Sequence, residues 1–511
     1  MNLSDQNLPP PARALPTWLA VAIAAALGLL VTCYRIGAAD VCGYNEAVEG
    51  LFVQQMVEHD EVLFPRGFSD QPMYKPPLFH WTALMVDRLA GVRKVTAASL
   101  RFPSALYATA GIILVVVFTA SWLSSGTAGL LAGMLLLGAY QYVSQGRYGR
   151  VDMTLTFCEA LTLLGFAWWW RRTQAPPPHA PSRETALRYL FAAGLGLGVL
   201  AKGPVGALLP LLAIAIFIVV HRRWEVPRRL FSAGSVLLAL AIACSWYLAC
   251  LATRQMDFLH RQIGSENFGR FFGSLGSMAP WYYVQPLLLN SVPMSLIAPL
   301  AVGWALRRGR EHAPQARDEA ARDEIAGLFA IFWLTTVLFF TLAAYKRRAY
   351  LLPLWPPTAA LIAWWLTTCL PVAARRWAVG STIAICALLA SFNLIYLPRR
   401  EIRTCGNDSF RPVALHVNRI VGAEEPLYIY GMDDPAALMF YLDRPATRLR
   451  GELGDAPPGY VLLPAPVWSR VRNHAPDLQP ILGPVPGSPP LVLLRHGKIY
   501  AAPTPAKAAR G

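Results

Sequence analysis

Asn45, Glu46 and Glu49 stand three and four residues apart in DVCGYNEAVEGLFVQQM, so a helix there presents an amide and two carboxylates on one face. Carboxylates in that setting take protons, hold amines or cap helices. Tyr74-Lys75-Pro76-Pro77 follows, and a residue before proline is pushed to extended geometry, so no helix continues through it. Lys75 is therefore a cation on a stiff turn, which suits a phosphate because little ordering remains to be lost. Asp152, in GRYGRVDMTLTF, stands where an apolar run begins. It is either an acid poised for chemistry or the partner of Arg147 and Arg150 in an ion pair at a helix N-terminus. Lys202 in LAKGPVG either snorkels to an interface or faces a shared ligand. The run YKRRAYLLP carries Lys346, Arg347 and Arg348, three cations suited to a lipid phosphate or to bulk headgroups.

The elements that must position these residues are read from hydropathy. Of 511 residues, 55% are hydrophobic and 15% charged, with mean hydropathy +0.38. This is the composition of a polytopic α-helical membrane protein rather than of a soluble core. About eleven spans of roughly 20 residues are expected, as a hydrocarbon core of about 30 Å requires. They lie near 16–36, 100–122, 127–146, 151–170, 187–201, 204–220, 230–251, 282–306, 325–344, 349–369 and 377–397. The glycine-rich stretch AAGLGLGVLA in the 187–201 span predicts close helix packing. The N-terminal MNLSDQNLPPPARALP is polar and no cleavage site follows the first apolar run, so that run is expected to stay as an anchor.

Orientation follows from arginine. Arg171, Arg172, Arg183 and Arg188, then Arg222, Arg223, Arg228 and Arg229, then Arg307, Arg308 and Arg310, and finally Arg375 and Arg376 fall in alternate loops. The positive-inside rule puts these in the cytoplasm, which leaves residues 40–99 outside. The net charge of +16 then reflects basic cytoplasmic loops facing anionic lipid; no basic stripe interleaved with aromatics points to nucleic acid. Asn45, Glu46, Glu49, Lys75, Arg147, Arg150, Asp152, Lys202, Glu266, Arg270, Lys346 and Arg347 all collect on the outer face. Cations there run against the trend, and a shared anionic ligand is the economical reason.

Residues 1–398 are read as the membrane domain and 399–511 as a small α/β extracytoplasmic domain. The β-prone runs LYIY, YVLL and LVLL are separated by Pro and Gly, with helices expected at 435–441 and 467–473 and a disordered tail from Pro503. The linkers QAPPPHAPS and REHAPQARDEAARDE carry no expected chemistry. Most of the eight cysteines lie in apolar runs and no CxxC occurs, so no zinc site is expected. Cys42 and Cys405 both fall outside the bilayer on one side. They are either two free thiols or a disulfide fastening the C-terminal domain over the first outer helix.

Taken together and in order, NEAVEGLFVQQM, PMYKPPLFHW, LRFPSALYA, GRYGRVDMTLTFCEALTLL, GVLAKGPVGALLPLL, SENFGRF, APWYY and YKRRAYLLPLWPP resemble the GT-C superfamily of membrane glycosyltransferases over roughly residues 40–360. The resembling branches are the lipid A aminoarabinose transferases and the protein O-mannosyltransferases. The resemblance implies a transmembrane bundle with two juxtamembrane helices in the first outer loop, an outer-face active site and a polyprenyl-phosphate sugar donor. It implies a catalytic carboxylate in the first outer loop and another at Asp152. Where the family has an Asp-Glu pair this chain has Asn45-Glu46, and asparagine cannot accept a proton, so Glu46 takes that role, or Asp152 works alone, or activity is altered. Lys75, Lys202 and Tyr350 match the family lysines and tyrosine. The segment SMAPWYY lacks the histidine common in the aminoarabinose branch.

The expectation is transfer of a sugar to a lipid, glycan or protein acceptor at the periplasmic face of the bacterial inner membrane, modifying lipopolysaccharide or glycoprotein. Asp152, with Glu46 second, serves as base. Asn45, Tyr74, Lys75, Arg147, Arg150, Lys202, Glu266, Arg270, Lys346 and Tyr350 bind substrate, with no metal or other cofactor needed because cations neutralise the leaving phosphate. The alternatives are a transporter or flippase using the same cationic pocket without chemistry, and a catalytically altered scaffold. No internal repeat or midplane polar residue favours transport.

Overall fold

The computed structural model describes residues 15–174, 181–311 and 317–496, apart from 275 and 423. The polar N-terminal segment, the tail from Pro503 and parts of both linkers lie outside these residues.

Every one of the eleven apolar stretches is helical, but not every one is a straight span. Long, apolar helices form at α4 (Ala97–Leu123), α7 (Val151–Gln174) and α8 (Pro181–Lys202), and over Ala233–Ala252, Arg317–Leu342 and Val372–Cys405. Two expected spans are broken instead. Helices α5 (Gly126–Gly138) and α6 (Tyr140–Gly146) meet at 73°, and the segment Pro280–Leu289 meets the following helix at 108°. At the first break Ala139 is extended, with ψ 109°; at the second, Pro293 has no N–H to give to a helix. Helices α1 (Thr17–Cys33) and α9 (Val205–His221) are shorter, at 17 residues each. Among the described residues six helices are long and apolar enough to cross a membrane, or up to eight if each bent pair is one span.

Local chemistry sets the helix starts. Thr96 caps α4 by accepting from Ser99 N–H while the Ser99 hydroxyl accepts from Thr96 N–H, and Ser125 caps α5 in the same sense. Glycines bring α7, α8 and α9 into backbone contact, as the glycine-rich run predicts. A Cβ on Gly194 would lie 2.6 Å from Thr162 Oγ1, and one on Gly206 would lie 2.1 Å from the Gly198 carbonyl oxygen. Gly206→Val is accordingly expected to destabilise the fold by about 1–3 kcal/mol or more. A thermal melt of the purified variant unchanged from wild type would contradict this backbone contact.

The bundle has two chemically distinct ends. Asp152 lies in the first turn of α7 and Arg171-Arg172 in its last, about 20 residues and so about 30 Å apart along the axis. Lys202 lies at the end of α8 beside Asp152, whereas Arg183 and Arg188 lie near its start. At the Asp152 end lies the segment between α1 and α4: α2 (Tyr44–Glu58), the two-residue strands β1 (Arg66–Gly67) and β2 (Gln71–Pro72), and α3 (Leu78–Leu89).

The C-terminal residues form a mixed sheet of β3 (Leu427–Ile429), β4 (Thr447–Arg448), β5 (Gly459–Pro464), β6 (Leu478–Leu482) and β7 (Leu491–His496) in the order β4-β3-β5-β7-β6. The three β-prone runs are the inner strands, β3, β5 and β7. Edge strands β4 and β6 escape a reading of the sequence: β4 has two residues and β6 carries Pro480, which an edge tolerates. The C-terminal residues dock on the segment between α1 and α4. Phe440 packs where a Cβ on Gly50 would lie 2.6 Å from its ring, Val41 N–H donates to Tyr441 Oη at 2.6 Å, and Cys42 is bridged to Cys405 with Cα atoms 5.7 Å apart. Of the two fates open to these thiols, the structure adopts the disulfide.

Candidate active site

A cavity of about 350 Å³ opens where α8 turns into α9. Lys75, Lys202, Glu266, Arg270 and Tyr350 line one part of it, and Val205, Leu208, Phe268, Phe271, Phe272, Phe339 and Phe340 line the rest. It is a charged pocket continuous with a greasy trough, a shape for a phosphate carrying a hydrocarbon tail.

Each polar side chain is held from a different element. Lys75 sits just ahead of α3, only 4% exposed, and its Nζ lies 2.5 Å from Glu266 Oε2. Glu266 belongs to a π-helical stretch, His260–Gly269, and also takes Arg270 at 2.8 Å. Arg270 in turn donates to Tyr350 Oη at 3.3 Å. Burial pushes the Lys75 ammonium down to about 8, with the Glu266 carboxylate opposing the shift. Burial works against the Glu266 carboxylate too, yet Lys75 and Arg270 hold it below its usual range.

The Tyr74–Lys75 turn owes its rigidity to more than proline. Tyr74 Oη donates to Glu49 Oε1 at 3.1 Å, and Glu49 Oε2 meets His80 Nε2 at 2.8 Å. Glu49 and His80 are both fully buried. This network ties the turn to α2 and α3 and aims Lys75 into the cavity. Glu49 is one of the acids singled out by spacing, but its role and that of His80 are not legible in sequence; PPLFHW offers a histidine in the first turn of α3 and nothing to say which carboxylate it meets.

Asp152 is buried and does not line the cavity; it is joined to the cavity wall through Lys202. Lys202 Nζ donates to its Oδ1, and Arg150 Nη1 stands 3.6 Å from Oδ2, an oxygen with no hydrogen-bond partner among the described residues. Lys202 also lies 5.0 Å from the centre of the Tyr350 ring, so one ammonium bridges the carboxylate and the cavity wall. Asn45 Oδ1 accepts from Arg347 Nη2 at 3.0 Å, and Arg347 acts electrostatically on Asp152.

Of the twelve expected site residues, Lys75, Lys202, Glu266, Arg270 and Tyr350 line this cavity; Asp152, Arg150, Asn45 and Tyr74 are not in its wall, and Glu46, Arg147 and Lys346 are engaged elsewhere. Glu46 accepts from Arg101 at 2.7 and 2.9 Å and from Gly149 N–H at 2.9 Å, so both its oxygens are spent on holding the loop that leads into α7. Arg147, expected beside Asp152, pairs with Glu401 at 2.9 Å on both arms and donates to the carbonyls of Val31, Thr32 and Tyr34. It braces α1 against the Val372–Cys405 helix. Lys346 is buried and donates to the carbonyl oxygens of Ala343 at 2.5 Å and Met278 at 3.3 Å. In each case sequence shows a charge at the right end of the bundle but not the partner that takes it.

Residues 74–261 match the family model described as dolichyl-phosphate-mannose-protein mannosyltransferase. An undecaprenyl phosphate-alpha-4-amino-4-deoxy-L-arabinose arabinosyl transferase of Pectobacterium atrosepticum is 26% identical over 331 residues, which cover 63% of this chain and 54% of that protein. The crystal structure of ArnT from Cupriavidus metallidurans bound to undecaprenyl phosphate superposes with a TM-score of 0.76 at 18% identity, covering 93% of this chain and 97% of that one. The chain has the GT-C fold. The same fold extends to the oligosaccharyltransferase AglB of Archaeoglobus fulgidus, with a TM-score of 0.53 at 12% identity over 88% of this chain and 69% of that one. The chain spans little more than half the length of its Pectobacterium relative. The GT-C fold agrees with the resemblance read from the motifs, and the family-model match begins at Tyr74, in the segment that delivers Lys75.

Proposed function

We propose that this chain is a glycosyltransferase of the bacterial inner membrane that moves a sugar from a polyprenyl-phosphate carrier to a lipid, glycan or protein acceptor at the periplasmic face. The observation that carries the reading is the junction of Lys75, Lys202, Arg270 and Tyr350 with a phenylalanine-lined trough, beside a carboxylate at Asp152. The named ligand of the Cupriavidus ArnT structure and the names of the curated relatives support the same carrier class.

The chemistry follows from charge. In a polyprenyl-phosphate sugar the phosphate is a diester with one negative charge. Breaking the bond between the anomeric carbon and the phosphate oxygen leaves a monoester with a second. Lys75, Arg270 and Lys202 would stabilise that developing charge in a partly dry site, where fixed cations act more strongly than in water. Before donor arrives these groups are engaged by Glu266 and Asp152. A phosphate that draws Lys202 away frees Asp152 to take the proton of an acceptor hydroxyl. Tyr350 and Tyr74 shape the pocket, and Glu46, Asn45 and Arg147 support it from outside. The C-terminal sheet, docked over α2, would border acceptor access.

Lys75 gives this reading a pH signature. With its ammonium at about 8, the ligand-free protein keeps the cation below that pH and loses it above. Phosphate binds the protonated form, so donor affinity should hold from pH 7 to 8 and then fall by up to tenfold per pH unit. Lys75→Arg stays charged and should flatten the fall; an equal fall in that variant would assign it to another group. To separate transfer from transport, proteoliposomes are given labelled polyprenyl-phosphate sugar with a cell-envelope acceptor fraction. Release of carrier phosphate with labelled acceptor supports the enzyme, and movement of intact donor without release overturns it.

A further inference from the structure

A second recess, of about 360 Å³, is lined in part by the Glu46–Arg101 pair. Residues 39–43, helix α6 and the C-terminal end of the Val372–Cys405 helix line it, with the Cys42–Cys405 bridge among the lining. It is more polar than the donor cavity, and it shares no lining residue with that cavity.

The charges of this recess do not balance internally. Its three carboxylates are all engaged: Glu46 with Arg101, Glu401 with Arg147, and Asp40 with Ser409 and Arg411. Its other two cations, Arg348 and Arg400, are exposed and form no ion pair among the described residues. The guanidinium of Arg400 lies 5.7 Å from the centre of the Tyr140 ring, another residue of the recess lining. Gln145 and Thr404 add side chains with no hydrogen-bond partner among the described residues. Two unpaired guanidinium groups, an aromatic face and free amide and hydroxyl groups make a receptor for a phosphate joined to a hydroxylated headgroup.

We propose that this recess is a second, donor-independent site for a phosphate-bearing headgroup, held by Arg348 and Arg400. Arg348 is two residues before Tyr350, which lines the donor cavity, so one short 3₁₀ stretch, Arg348–Leu354, reaches both sites. Occupancy of the recess can thus be felt where the carrier phosphate binds.

The test uses the full chain in phosphatidylcholine nanodiscs containing a minor fraction of phosphatidic acid, with bound lipid counted by native mass spectrometry. Wild type is expected to retain phosphatidic acid over phosphatidylcholine. Arg348→Ala with Arg400→Ala should lose at least about tenfold of that preference, since each charge-assisted contact contributes on that order. Arg348→Lys with Arg400→Lys should keep most of it. Lys75→Ala should keep it entirely, which sets this site apart from the donor cavity. Added inorganic phosphate tells the source: displacement of the lipid assigns the site to phosphate alone, and persistence assigns it to the lipid headgroup. A preference unchanged in the double alanine variant, or lost in Lys75→Ala, overturns the proposal while leaving the reading of the donor cavity intact.

Discussion

Asp152→Asn is expected to lower sugar transfer by a factor of about 10²–10⁴, the range in which a positioned general base contributes, while donor remains bound. The buried carboxylate stands behind Lys202, a residue of the cavity wall, with one oxygen on that ammonium and the other free of hydrogen bonds among the described residues. The amide keeps the shape of the side chain but cannot take a proton. It also leaves Lys202 and Arg150 without their anion, and unpaired buried cations are costly, so some loss of stability accompanies the loss of rate. Donor retention by the purified variant therefore accompanies the rate measurement. Asp152→Glu, which restores the base with a longer arm, should recover part of the activity. Near-normal turnover in Asp152→Asn would remove Asp152 from the mechanism.

Lys75→Ala should act on binding instead. A buried contact between an ammonium and a phosphate contributes about 1.5–3 kcal/mol, so donor affinity should fall by roughly 10- to 150-fold. Glu266 retains Arg270 at 2.8 Å, so the variant leaves that carboxylate paired and should fold. The measurement is a carrier-lipid titration of wild type and variant at pH 7. Equal affinities would make Lys75 a structural partner of Glu266 and no more.

The parts of this molecule that were legible in sequence are those set by hydropathy and backbone chemistry. Apolar runs marked where helices form, and Gly194 and Gly198 marked where they touch. Proline told of a stiff turn at Lys75, and the alternating arginine loops told which end of the bundle carries Asp152. Breaks within runs were not legible, because the 127–146 stretch stays apolar through Ala139. Pairing among charges was hidden for a different reason. Arg147 and Arg150 are three residues apart, yet one reaches Glu401 and the other Asp152. Glu46 and Glu49 lie one turn apart on α2, yet one takes Arg101 while the other takes Tyr74 and His80. Helix phase at that resolution depends on tertiary packing, which spacing alone does not supply. Asn45 was flagged as a departure from the family pair, and its contact to Arg347 gives it a physical role: an amide oxygen accepts that guanidinium without adding charge.

The central claim is that carrier phosphate sits among Lys75, Arg270, Lys202 and Tyr350 with its tail along Phe339 and Phe340. The most direct measurement is an experimental structure of the full chain with undecaprenyl phosphate bound. The account predicts phosphate oxygens about 3 Å from Lys75 Nζ and the Arg270 guanidinium, with the Glu266 contact to Lys75 loosened and the prenyl chain in the phenylalanine trough. A phosphate bound elsewhere, with Lys75 still on Glu266 and the trough empty, would contradict it.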